Sequence, residues 1–126
     1  MERNMVGWFE IPVTDMDRAK NFYEAVFGVA IQVHDLGGTK MGWFPWDETK
    51  TGAAGCLILN TDWYTPSNTE GVLIYFACTD LQQELDRVEP SGGKILKPKT
   101  QISPDVGYMG LFLDSEGNRI ALHSRN

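Results

Sequence analysis

One feature of this 126-residue chain constrains its fold more than any other: its punctuation repeats. Thr14-Asp15 and Thr79-Asp80 each precede an apolar stretch of helical spacing, and 79 − 14 = 65. Gly28 and Gly93 each stand where such a helix stops, and 93 − 28 = 65; Gly52 and Gly117 repeat the interval. Twice 65 is close to the whole chain, so the sequence reads as two copies of one unit. Direct overlay at this interval gives only 7 identities, Thr14, Asp15 and Gly28 among them, so the repeat rests on where the matches fall. They fall on helix starts, helix stops and turns.

Each copy reads strand, helix, strand, strand, strand. In the first helix Ala19, Phe22, Tyr23 and Val26 follow the i, i+3, i+4, i+7 spacing of one helix face. Thr14 is expected to cap its free N–H groups, with acids in the first turn suiting the dipole. Thr79 is expected to cap the second helix, with Gln82 at the capping-box position. The predicted strands are 5–13, 29–34, 40–46 and 53–60, then 72–79, 94–100, 106–113 and 118–124. His34-Asp35 sits at a strand end and reads as the start of a loop before Gly37-Gly38; 61–70, with Trp63, Tyr64 and Pro66, reads as the linker, with a mobile lid as the alternative. The expectation is an α+β fold in which two tandem βαβββ modules, about 5–60 and 71–125, form a curved mixed sheet around one cleft. The helices are expected on its outer face, in a single domain spanning 1–126.

Composition narrows the partners. A hydrophobic fraction of 42% and a net charge of 11 − 17 = −6 suit a globular domain with a core. The acidic balance argues against a nucleic-acid groove or an anionic membrane surface as partner. No stretch approaches the roughly 18 apolar residues of a membrane span. Met1 to Asn4 lead into no apolar signal core, so a cytoplasmic protein is expected. Two cysteines without a CxxC spacing, Cys56 and Cys78, read as reduced.

Alternation along the strands sorts side chains by face. Phe9, Ile11 and Val13 should lie under the first helix, with Ile74, Phe76 and Cys78 under the second. The opposite face collects Trp8, Glu10, Cys56, Ile58, Leu73, Tyr75, Ala121 and His123. That mixture, mostly apolar with a few polar groups, has the character of a small-molecule pocket. Trp43 and Tyr108 are related by the repeat and are expected to line its two sides. Glu10 reads either as a general base or ligand anchor, or as a structural carboxylate bonded to a neighbouring strand. His123 is its expected partner, and Tyr75, at 10 + 65, a hydrogen-bond donor or a filler of the cavity.

The segments TDMDRAKNFYEAVFG and DSEGNRIALHS, set in paired βαβββ units, resemble the vicinal oxygen chelate superfamily. This is the glyoxalase, bleomycin-resistance and extradiol-dioxygenase group, and the likeness is greatest to its small bacterial lactoylglutathione-lyase-related branch. The resemblance implies metal ligands on the first and last strand of each module. Those positions fall on Trp8, Leu73, Cys56 and Ala121, three of which carry no donor, so no metal and no other cofactor is expected. It further implies a homodimer. The expected function is binding of a small organic molecule in a largely apolar cleft without the family metal. The alternatives are a metal-independent isomerase or lyase using Glu10 with His123 or Tyr75, and a metal-dependent lactoylglutathione lyase.

Overall fold

A computed structural model describes residues 3–126; Met1 and Glu2, which open the stretch read above for targeting, lie outside them. The first module contains β1 (Trp8–Pro12), α1 (Met16–Phe27), β2 (Gln32–Leu36), β3 (Thr39–Trp43) and β4 (Ala54–Leu59). The second contains β5 (Ile74–Ala77), α2 (Leu81–Val88), β6 (Lys94–Ser103), β7 (Gly107–Leu113) and β8 (Arg119–Ser124). The second strand therefore runs past the expected end at His34 and takes in Asp35 and Leu36 as well. The strands form two four-stranded sheets of order β1-β4-β3-β2 and β5-β8-β7-β6, so β1 and β5 are both edge strands. The fold is α+β with the two expected modules, but their sheets are separate rather than one continuous sheet.

The repeat holds in the strand registers. β1 runs parallel to β4 with Glu10 opposite Cys56; β5 runs parallel to β8 with Tyr75 opposite Ala121. Both intervals are 65. In the third strand of each module the repeat slips. Trp43 faces Cys56, whereas Leu111 faces Ala121, and 111 − 43 = 68. The β7–β8 turn, 114–118, is shorter than the β3–β4 loop, 44–53, and the slip of three residues absorbs part of the difference. An odd slip moves a side chain to the other face. Tyr108 consequently packs against the core, with the Lys99 Nζ 4.6 Å from its ring centre, and does not line a cleft with Trp43.

Both helices form for the expected reason and start one residue later than expected. Ala19, Phe22, Tyr23 and Val26 are buried along α1, and Leu81, Leu85 and Val88 along α2. The caps are Asp15, which accepts from the Arg18 N–H, and Asp80, which accepts from the Gln82 N–H. Thr14 is not the cap because its hydroxyl and N–H are both engaged by Glu116. Gly28 ends α1 in the left-handed region, φ 64°. Its repeat partner Gly93 serves another end: a Cβ there would lie 2.5 Å from the Leu113 carbonyl and 2.7 Å from the Phe22 ring.

The apolar faces of the two modules merge into one core, in which Ile11, Val13, Phe22, Tyr23 and Leu57 of the first meet Leu85, Phe112, Ile120 and Leu122 of the second. Phe76 of β5 crosses the boundary, its ring centre 4.7 Å from that of Phe27, 5.6 Å from Phe44 and 5.9 Å from Phe9. It therefore packs beneath the first helix, whereas alternation had assigned it to the second.

Polar contacts close the same boundary. Glu116 Oε1 accepts from the Thr14 and Asp15 N–H groups at 2.8 and 3.0 Å, and Glu116 Oε2 from Arg18 Nε at 2.7 Å. Tyr23 Oη donates to Asp114 at 2.6 Å, and Asn118 Nδ2 to the Pro12 carbonyl at 2.7 Å. Burial alone would raise the Glu116 carboxyl. The hydrogen bonds from Arg18, Thr14, Asp15 and Ser115 outweigh it and hold the carboxyl down to about 2, against an ordinary 4.5. A depressed carboxylate stabilises the fold above its unfolded pKa, and that contribution disappears as pH falls toward the folded value. The shift bounds the effect at about 3 kcal/mol. Arg18 is half exposed, so screening reduces the expected figure to about 1–2 kcal/mol. Glu116→Gln should lower stability by that amount at pH 7, and the gap to the parent should close between pH 4.5 and pH 2. Urea denaturation across this range measures both.

Candidate functional site

The non-helix face of the first sheet gathers four of the expected residues, Trp8, Glu10, Cys56 and Ile58, together with Trp43. Glu10 stands opposite Cys56, and Trp43 flanks Cys56 from the other side. The indole rings of Trp8 and Trp43 meet edge to face, centres 6.3 Å apart and planes at 79°. His34 lies against Trp43, ring centres 4.5 Å apart. Beneath these rings Cys56 is fully buried and Ile58 nearly so.

Glu10 is held by two donors. Tyr64 Oη donates to its Oε1 at 2.6 Å, and Trp8 Nε1 lies 3.4 Å from its Oε2. Tyr64 belongs to the segment read as the linker; the segment turns back over the sheet, helped by Trp63 and Tyr64 N–H bonds to the Asn60 carbonyl. The hydrogen bond to Glu10 raises the Tyr64 hydroxyl above its ordinary 10, with burial and the Glu10 charge adding to it. Burial pushes the Cys56 thiol up to about 12, and the Glu10 charge adds to the rise.

The expected partner of Glu10 is elsewhere. His123 sits on β8 with its Nε2 2.7 Å from the Val106 carbonyl oxygen, and it does not pair with Glu10. Tyr75 is on β5, opposite Ala121 and half exposed; it does not bond Glu10 either. Ala121 is fully buried, and Leu73 precedes β5. Alternation fixes the face a residue takes on its own sheet. It does not fix whether faces of two separate sheets meet, which is why Glu10, His123 and Tyr75 share a face type without sharing a site.

A distinct cavity of about 560 Å³ opens where β1 and β4 approach β5. Its walls are the rings of Phe9, Phe27, Phe44 and Phe76, with Leu73 and Tyr75 at its border. Phe9 and Phe76 were legible only as helix-side residues, Phe27 and Phe44 carried no such assignment, and alternation gives no sign that the edge between two sheets is left open beside them. Tyr64 was missed because its role depends on the path of a turn rather than on any periodic pattern.

A divalent metal of the kind the fold implies does not fit the four repeat-related positions. Trp8, Leu73 and Ala121 have no suitable donor atom, and the remaining thiol, with a pKa near 12, is protonated at neutral pH. Among the described residues no group of three or more His, Cys, Asp or Glu is placed to hold a metal.

Comparison with known proteins defines the class. Residues 5–122 match the family model for the Glyoxalase/Bleomycin resistance protein/Dioxygenase superfamily, and the chain belongs to this family. It is 29% identical over 124 residues to a glyoxylase-like domain-containing protein of Didymella fabae, covering 95% of this chain and 93% of that one. Its fold is similar to that of TnmS3, an antibiotic-binding protein from Streptomyces sp. CB03234 (TM-score 0.66, 23% identity, 100% and 99% of the two chains). It is similar also to glyoxalase I from Zea mays (TM-score 0.68, 17% identity, 94% of this chain), of which it spans about half, 45%. Among the described residues no helix is long and apolar enough to cross a membrane.

The burial of Cys56 has a direct chemical consequence. In the native protein Cys56 should resist iodoacetamide at pH 8, while both cysteines should alkylate in urea. Peptide mass mapping after timed labelling reads this, and rapid native labelling of Cys56 would contradict its placement.

Proposed function

We propose that this chain is a metal-independent small-molecule-binding member of its family, holding a largely apolar organic molecule in the cavity beside β5. The phenylalanine-lined cavity of about 560 Å³ carries the reading. Its size suits a drug-sized ligand, and its walls supply apolar contact with few polar groups. TnmS3, an antibiotic-binding protein of the same fold, supports the same kind of function here. The acid–base alternative has less support. Glu10, His123 and Tyr75 do not converge, and Tyr64, which does reach Glu10, is a weaker acid for that contact. Two free cysteines support a reducing, cytoplasmic setting.

The neutral fluorophore N-phenyl-1-naphthylamine brightens in apolar surroundings and tests the cavity directly. Saturable one-to-one binding is expected. Ala53 lines the cavity. Ala53→Phe should occupy part of it and weaken the probe about tenfold, or about 1.4 kcal/mol, with little change in Tm. Binding that is not saturable, or that survives the substitution at full strength, overturns the reading.

The same proposal includes a homodimer. β1, β2, β5 and β6 each end a sheet, and a second copy can pair with such an edge in an isologous arrangement. Light scattering at micromolar concentration should give about twice the 14.1 kDa chain mass. A mass of one chain would refute the assembly.

A further inference from the structure

We propose that the face formed by Trp8, Trp43 and Glu10 is a second site, one that takes a small organic ammonium ion. Trp8 and Trp43 stand at 79° to one another and are 43% and 42% exposed, so two indole faces are open to solvent at a corner. Indole is the side chain whose ring face attracts a cation most strongly. His34 backs Trp43 and restricts its movement, and the sheet below is closed by the buried Cys56. The two rings thus form a solvent-facing aromatic corner over a closed sheet.

Charge selects the ligand. Glu10 lies on the same face, two residues along β1, and its carboxylate reaches the Trp8 indole N–H. Tyr64 fixes one of its oxygens. Among the described residues no Lys or Arg forms an ion pair with Glu10, while the chain carries a net charge of −6. An anionic ligand would meet repulsion here. A neutral apolar one would gain nothing from the carboxylate. A bare divalent metal would find a single carboxylate and no second anionic donor. An ammonium with methyl or methylene substituents uses both features at once, since its charge faces Glu10 and its carbons lie against the rings. None of these residues lines the phenylalanine cavity, so this inference stands apart from the proposed function.

Choline and its neutral isostere 3,3-dimethyl-1-butanol separate charge from shape. The chain has four tryptophans, whose indole N–H signals are observed by ¹⁵N NMR, with Trp46 and Trp63 as internal references. Choline should shift the signals of Trp8 and Trp43 and leave the references in place, and the alcohol should bind at least about tenfold more weakly. Glu10→Gln and Trp43→Leu should each weaken choline about tenfold, with circular dichroism confirming that each variant is folded. Equal binding of choline and the alcohol, unaltered affinity in folded Glu10→Gln, or no shift of Trp8 and Trp43 would each overturn the proposal. Signals of Trp8 and Trp43 that ignore choline but move on protein dilution would assign the face to a second copy instead, and would overturn it too.

Discussion

The interaction on which the structure depends is the capture of the α1 start by the Glu116 carboxylate. One residue of the second module accepts two backbone N–H groups and an arginine from the first. The Asp15 N–H is one of the orphan donors that every helix N-terminus presents, and the Thr14 N–H lies just before it. The Asp15 carboxylate satisfies the Arg18 N–H from within the module, and Glu116 satisfies the Asp15 N–H from across the boundary. The positive end of α1 is therefore neutralised by the other half of the molecule. The first module on its own would lose part of its helix cap, whereas α2 is satisfied by Asp80 and Ser124 of its own module, so the first half is tied to the second by an electrostatic need as well as by a shared core. The burial of Tyr23 against Asp114 places a second polar contact within that core.

The modules are alike in plan and unlike in use. Their edge and central strands keep the same interval, while the third strand slips by three residues and exchanges the faces of Trp43 and Tyr108. The slip makes the sheets chemically different. The first presents an aromatic and acidic non-helix face; the second presents Tyr75, Ala121 and His123, with Leu111 where the first has Trp43. A fixed repeat can carry different sites in its two copies because a single short turn shifts one strand against the next.

The two candidate sites are built by different physics. The phenylalanine cavity is a packing defect at the junction of two sheets, bordered by Phe76, which crosses from one module to the other. It offers apolar area and little direction. The Trp8–Trp43 corner lies on one sheet and offers direction, because Glu10 is immobilised by Tyr64 and Trp8. Neither uses the positions at which the fold implies metal ligands as donors. Trp8 at one of them has become a wall, and Cys56 at another has become protonated core.

The sequence alone determined the modular plan, the helix faces and, wherever the 65-residue interval holds, the side of its own sheet on which a strand residue lies. These are local properties: helical spacing, alternation and glycine punctuation act within a few residues and need no knowledge of the rest. It also placed Trp8, Glu10 and Cys56 on the same face type, since alternation along each strand assigns them there. Tertiary structure alone decided that the sheets are separate, that Glu10 meets Tyr64 rather than His123, and that Tyr108 turns inward. It decided too that Glu116, at a turn, caps a helix about a hundred residues away in sequence and that the cavity opens beside β5. Each of these depends on loop length or on the distance between elements remote in sequence. Periodicity carries no information about either, because it describes a segment and not the space between segments.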